Sequence, residues 1–385
     1  MRVILGLALA CVACRAPEPP TKGWQLTTDS VVRRALLTSA GVAILATDTA
    51  VIGVRDGREV WRYNVAHAPW LIALDDGTVL SRSDDGRVVA LEAATGTVAW
   101  KLGVPIESET PLTAQDKDIL GRFRYSAPRG AAVSGADRAL MLVEDGRLYD
   151  LVPSQCVART PRCSSLRGHI PVTFSGAVDL VDAGSVVVVS SVGEVLFTAP
   201  DGRIIARARV PGLFGGIATW PGAESATVAL ALDSTVVTLD LSRCKSAPPI
   251  ALSAGCPECV SPPKGCVTAS VAVAGVLPYP PALLGEGLVV NAVARTHVLG
   301  DAARALDLDG IGPVVAAPGG RARTVSAHAT DRSLRLIELD ATGVKREARL
   351  PFASPGLVIS EEILLSVSGS KTLVAIGRDV ALVEL

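Results

Sequence analysis

Ala90-Leu91-Glu92-Ala93-Ala94-Thr95-Gly96-Thr97-Val98-Ala99-Trp100 reads as one strand, a tight turn with glycine where the backbone must bend, and a second strand ending on tryptophan. A looser copy, Val54-Arg55-Asp56-Gly57-Arg58-Glu59-Val60-Trp61, places its tryptophan 39 positions earlier. A period near 40 residues, with about four short strands in each unit, is that of a β-propeller blade. Four short strands cannot bury both of their faces alone. A chain built from such units must stack them into a ring or an array.

Working outward, Asp85-Gly86-Arg87-Val88-Val89-Ala90-Leu91 has a cousin in Asp145-Gly146-Arg147-Leu148-Tyr149-Asp150-Leu151. The stretch from Glu194 to Ala206 repeats the whole motif, with Ala206 where the tryptophan stood. Ser333 to Gly343 does so again, and counting onward puts Glu347 in that place. Weaker copies surround 235–241 and 305–310, and two strands end the chain at 372–385. Eight units follow, near 41–65, 68–104, 137–165, 176–211, 216–253, 270–317, 323–351 and 353–385, with seven blades the alternative. The expected fold is an all-β propeller of four-stranded blades over 24–385. Ser30-Val31-Val32-Arg33-Arg34-Ala35-Leu36-Leu37 has no earlier partner, so it is expected to pair with the C-terminal strands and close the ring, removing two sheet edges together. Trp61 and Trp100, at the ends of outer strands, are expected to pack between blades, where their area is buried and the indole N–H finds a carbonyl.

Composition agrees. Hydrophobic residues make up 49% of the 385, aromatics only 4%, and short Val-, Ala- and Leu-rich runs alternate with Gly, Asp and Pro. The formal net charge of −1 supplies no field that would draw in nucleic acid.

The N-terminus suggests export. Arg2 precedes the apolar run from Val3 to Ala10, which is too short to span a bilayer and fits a signal peptide over 1–14. Cys14, following Val12-Ala13, resembles the lipobox cysteine of bacterial lipoproteins, with Cys11 the alternative. Cys11 itself stands where that family usually has leucine, and an ordinary signal peptide with incidental cysteines is the competing reading. Residues 15–23, rich in proline, read as a flexible tether. The expected location is an exported lipoprotein at the outer membrane, facing periplasm or cell surface and held by lipid alone.

Beyond the signal lie Cys156, Cys163, Cys244, Cys256, Cys259 and Cys266, an even number that makes disulfides the default in an oxidising compartment. Cys156 and Cys163 flank one short loop and are expected to pair. The other four lie in or beside a Pro-rich insertion near 244–266, between units five and six, and allow three pairings. A four-thiolate zinc site on the same four is the functional alternative. Covalent haem would require histidine at 260, where valine stands. The histidines His67, His169, His297 and His328 are scattered, and Asp75-Asp76-Gly77 and Ser83-Asp84-Asp85 fit hairpin turns better than acid–base pairs. No catalytic residue, metal ligand or cofactor site is assigned.

At the Ala-x-x-x-x-Thr-Gly-x-x-x-Trp pattern ending on Trp100, the chain resembles the pyrroloquinoline-quinone-type repeat. That repeat builds quinoprotein alcohol dehydrogenases and also the propeller lipoprotein of the outer-membrane β-barrel assembly machinery. The dehydrogenase branch would imply a calcium ion, a tryptophan floor under the quinone and, in many members, adjacent cysteines; no adjacent Cys-Cys pair exists here. The lipoprotein branch implies a non-enzymatic scaffold, expected to be monomeric, that binds an envelope protein or polymer. A ligand sensor using the central channel is a third possibility.

Overall fold

The computed structural model describes residues 22–65, 70–74, 77–82, 87–103, 131–133, 139–142, 147–152, 155, 164–169, 177–180, 186–189, 194–198, 204–210, 214–220, 227–243, 266–292, 295–300, 303–306, 308–327, 333–352 and 362–385. They form eight four-stranded antiparallel sheets. Named from the inner strand outward, blade one is Val32–Leu37, Ala43–Thr47, Ala50–Arg55 and Arg58–Asn64, and blade two is Trp70–Ala73, Thr78–Arg82, Arg87–Glu92 and Val98–Gly103. Blade three is Ala131–Val133, Ala139–Leu142, Arg147–Leu151 and Ser164–His169, and blade four is Ala177–Leu180, Val186–Val189, Glu194–Thr198 and Ile204–Arg209. Blade five is Phe214–Thr219, Thr227–Leu232, Thr235–Asp240 and Val267–Ala272, and blade six is Ala282–Leu284, Gly287–Ala292, Arg295–Leu299 and Ala303–Ala305. Blade seven is Val315–Ala317, Arg321–Ala327, Leu334–Asp340 and Gly343–Arg349. Blade eight is Ile363–Ser368, Lys371–Ile376 and Asp379–Glu384, completed on its outside by the N-terminal strand Gly23–Thr27.

In blades one and five the two middle strands are covered on both faces, which explains why they read as nearly continuous apolar runs. Ala43–Thr47 is buried throughout, and Thr227–Leu232 is buried after its first residue. Their Ala, Val and Gly content keeps neighbouring sheets close without large side chains. Apolar clusters fill the seams between successive blades: Val195 with Leu230 and Leu239, Ala231 with Val290, Ile337 with Val289, and Ile44 with Val89. The ring closes through Leu45 and Ile52 of blade one against Leu373 and Val380 of blade eight.

Closure joins the two ends of the chain, but through a different segment from the one the sequence suggests. Gly23–Thr27 pairs with Asp379–Glu384, Trp24 facing Leu382, while Val32–Leu37 is the inner strand of blade one and pairs with Ala43–Thr47. Thr28 N donates to Arg378 O at 2.8 Å and Val32 N to Gly377 O at 2.7 Å, pinning the crossover between them. The first strand thus begins at Gly23, the last residue of the expected tether.

Two further boundaries move. The insertion near 244–266 lies inside blade five, between its third strand and its outer strand Val267–Ala272, and not between two blades. That outer strand lacks the motif's tryptophan and follows a long excursion, so it reads as the start of the next unit. In blade seven the tryptophan position belongs to Arg346 and not to Glu347. Glu338 faces Arg346 just before the bulge, as Ala90 faces Trp100 and Gly53 faces Trp61.

Candidate functional site

The outer hairpins carry the repeat's main device. In blades one, two, three, four, five and seven the outer strand holds one extra residue, a bulge that twists the strand as it nears the next blade. The residue just past the bulge is Trp61, Trp100, Gly168, Ala206, Ala269 or Arg346, in that order of blades. Trp61 leans from blade one onto blade two, where its Nε1 donates to Ala93 O at 2.9 Å. A Cβ on Gly53 beneath the ring, or on Gly96 above it, would run into the indole, so both positions need glycine. Trp24 repeats the arrangement one seam earlier: it leaves the outer strand of blade eight and rests on the Asp56-Gly57 turn of blade one. The Gly and the Trp of the motif therefore serve consecutive seams, the glycine receiving the previous blade's ring. Trp100 is buried at 8% exposure.

The seam between blades seven and eight is built from charge. Glu338, 2% exposed, accepts from Arg323 Nη2 at 2.9 Å and Nε at 3.1 Å and from Arg321 Nη1 at 2.7 Å. Arg323 Nη1 reaches across the seam to Thr372 Oγ1 at 2.8 Å and Lys371 O at 3.2 Å. Burial alone would push the Glu338 carboxyl up, but the hydrogen bonds from Arg323 and Arg321 hold it below the usual glutamate range. Between blades six and seven, Asn291 Nδ2 donates to Gly312 O at 2.6 Å and Thr324 Oγ1 at 2.7 Å, and its Oδ1 accepts from Thr296 at 2.6 Å. Every polar atom of that amide is occupied by the frame, which marks it as structural.

Among the described residues no group of three or more His, Cys, Asp or Glu side chains could hold a metal ion. His297 is buried at 3% exposure in the third strand of blade six, its ring beside the backbone of Ala274. Burial lowers its pKa and Arg295 pushes the same way, while the backbone of Ala274 opposes them. Arg33 pairs with Asp48 at 2.8 Å, and Arg34 lies 3.8 Å from Glu362, ahead of the inner strand of blade eight. Burial raises the Glu362 carboxyl against the pull of the two arginines. These groups sit at one mouth of the ring without converging on a common point.

Cys266 is fully buried in the seam of blades four and five and is disulfide-bonded, its partner lying outside the described residues. Cys11, Cys14, Cys156, Cys163, Cys244, Cys256 and Cys259 also lie outside them, as do His67, His328 and the acidic turns at 75–76 and 83–85. The strand connectivity still fixes one relation. Gly23 enters the ring on the face that carries the turns between third and outer strands, such as Asp56-Gly57 and Thr95-Gly96. The strand ends bracketing 152–163 and 244–265 emerge on that same face.

On the rim toward the opposite face is a groove of about 470 Å³, lined by Gln25, Leu26 and Thr27 of the closing strand, Asp379 and Val380 beside it, and Pro351 and Phe352 from the crossover out of blade seven. Sequence reading had no access to it, because the groove joins residues from the two ends of the chain.

Residues 46–147 match the family described as outer membrane protein assembly factor BamB. The structure of BamB from Moraxella catarrhalis is similar over 94% of this chain and 98% of its own, at 13% identity and a TM-score of 0.59. The computationally designed Ika8 protein is similar over 94% and 99%, at 11% identity and a TM-score of 0.63. No curated protein matches the chain significantly in sequence. The protein is thus a propeller of PQQ-like repeats that resembles BamB. Because 1301 solved chains match this shape, the likeness is one of fold.

Proposed function

We propose that the protein is a non-enzymatic lipoprotein of the bacterial cell envelope, tethered through Cys14 (Cys11 the alternative), whose propeller binds a protein partner or envelope polymer. The observation that carries this reading is the match of residues 46–147 to an assembly-factor family within a chain that forms a complete ring. A lipid at the N-terminus would hold the Gly23 face toward the membrane, with the disulfide-prone connections of blades three and five on that side. The opposite face and the rim would remain available. The protein acts as a monomer in this reading, and an outer-membrane location facing the periplasm or surface follows from the lipobox-like cysteine.

The test is affinity capture from solubilised membranes, run with wild type and with Cys14→Ser and Cys11→Ser. Loss of membrane partitioning in one variant, with the same captured partner in detergent, supports the reading. Retained partitioning in both overturns the anchor. A thermal shift or absorbance change on adding pyrroloquinoline quinone with calcium would instead place the chain with the oxidoreductases.

A further inference from the structure

An outer strand presents a row of unpaired N–H and C=O groups, and natural sheets usually blunt such edges with charge. Six of the eight outer strands here do so: Arg58–Asn64, Val98–Gly103, Ser164–His169, Ile204–Arg209, Ala303–Ala305 and Gly343–Arg349 each carry at least one Lys, Arg or Glu. Val267–Ala272 and the closing strand Gly23–Thr27 carry none. Only the closing strand borders the 470 Å³ groove.

We propose that the edge of Gly23–Thr27, together with this groove, binds an extended segment of a partner polypeptide by strand addition, an apolar side chain of that segment entering the groove. This deepens the binding-module reading and rests on it. The ladder fixes which groups are available. Glu384 N donates to Lys22 O at 3.0 Å and Thr28 N to Arg378 O at 2.8 Å, so even-numbered residues of this strand exchange bonds with the chain's last strand. By the alternation of antiparallel pairing, the backbone groups of Gly23, Gln25 and Thr27 turn outward. Gln25 and Thr27 are exposed, whereas Trp24 and Leu26 are partly buried and packed toward blade one. Added strands draw affinity from such main-chain bonds and specificity from pockets for alternate side chains.

The groove defines the side chain it takes. Pro351 and Phe352 supply an apolar wall, Leu26 and Val380 border it while their side chains pack toward blade one, and Asp379 is its one charged residue, accepting from Thr27 Oγ1 at 2.7 Å. An apolar or basic-flanked segment fits, and an acidic one is repelled. The site lies at the end of the closing strand away from Gly23, so a partner could dock while the N-terminus stays anchored.

The experiment is fluorescence anisotropy on the purified protein with a capped six-residue peptide of alternating threonine and valine, a leucine at its fourth position and a terminal lysine. The comparison peptide has glutamate in place of the leucine. The leucine peptide is expected to bind, and the glutamate peptide about 10-fold or more weaker. Gln25→Pro deletes one outward N–H without touching the ladder, since proline is tolerated on edges, and is expected to lower affinity about 10-fold. Gln25→Ala keeps that N–H and should stay within about 2-fold of wild type. Phe352→Ala, assayed well below its melting temperature because Phe352 also packs against the core of blades seven and eight, should shrink the preference for leucine.

Equal binding by Gln25→Pro, equal binding of both peptides, or no binding by wild type would overturn the proposal. So would a dimer in sedimentation that Gln25→Pro abolishes, since a second copy would then own the edge. If Gln25→Pro still captures the membrane partner, the binding-module reading stands and this site falls. If the peptide binds but no partner is captured, the reverse holds.

Discussion

The seam between blades one and two and the seam between blades seven and eight solve one problem with opposite chemistry. In the first, Trp61 fills the gap with apolar area, closes a single hydrogen bond to Ala93 O, and relies on two glycines to make room. In the second, Arg346 occupies the tryptophan position, and a buried Glu338 binds two arginines, one of which reaches blade eight. The lesson concerns tolerance. An apolar wedge degrades gradually when trimmed, because each lost methylene costs a similar amount. A buried ion pair fails abruptly, because removing one partner strands the other.

The sharpest break is Glu338→Ala. It leaves Arg323 buried and unpaired, and equilibrium urea unfolding should show a loss of about 3–5 kcal/mol. Replacing Glu338 with Leu and Arg323 with Met together should cost much less than either change alone, which a double-mutant cycle reads directly. Trp61→Ala comes next, at about 3 kcal/mol, since the ring is only partly buried. Trp61→Phe should lose about 1 kcal/mol, most of it the bond to Ala93 O.

His297 supplies a third kind of seam and a pH test. Its folded pKa lies below the unfolded value, so as pH falls below about 6.5 the unfolded chain takes up a proton that the folded chain refuses. Stability should therefore decline with falling pH in that window, by at most about 1.4 kcal/mol per pH unit. His297→Phe should flatten this part of the urea midpoint profile. The smallest effect belongs to Asp340, which caps the Ala341-Thr342 turn and whose pKa is lowered to about 2, chiefly by the Thr342 hydroxyl. A depressed carboxyl contributes stability above its unfolded value of 3.8 and loses it as pH falls toward about 2. Asp340→Ala should weaken the acid dependence there and lower the neutral-pH midpoint slightly, because the contribution it removes is present at neutral pH.

Much of the ring could be read from Trp61, Trp100 and the spacing of Gly and Thr, because the motif is the packing device itself. Trp24 escaped for a physical reason. Its strand has five residues, stands beside the proline tether, and finds its partner only at the far end of the chain. Arg346 was displaced by one because Gly343 directly precedes Val344, whereas Thr97 separates Gly96 from Val98 and Arg58 separates Gly57 from Glu59. Counting from glycine cannot see a glycine that has moved within its turn. Arg321 and Arg323 sit at alternate positions in their strand, a pattern that reads as a solvent face until the next blade is seen to cover it, and Glu338 shares its strand face with Leu334 and Leu336. The groove at Gln25 and Phe352 had no local signature at all.

Thr28 and Arg378 bond across 350 positions of sequence, and that has a temporal consequence. During translation the first strand, Gly23–Thr27, emerges some 350 residues ahead of its partner, Asp379–Glu384. For most of its synthesis the ring is therefore an open arc with two bare ends, at a stage when the chain is most exposed to aggregation. A truncation removing even the final strand should trap the protein in that arc, which gives the C-terminal residues a part in maturation out of proportion to their number.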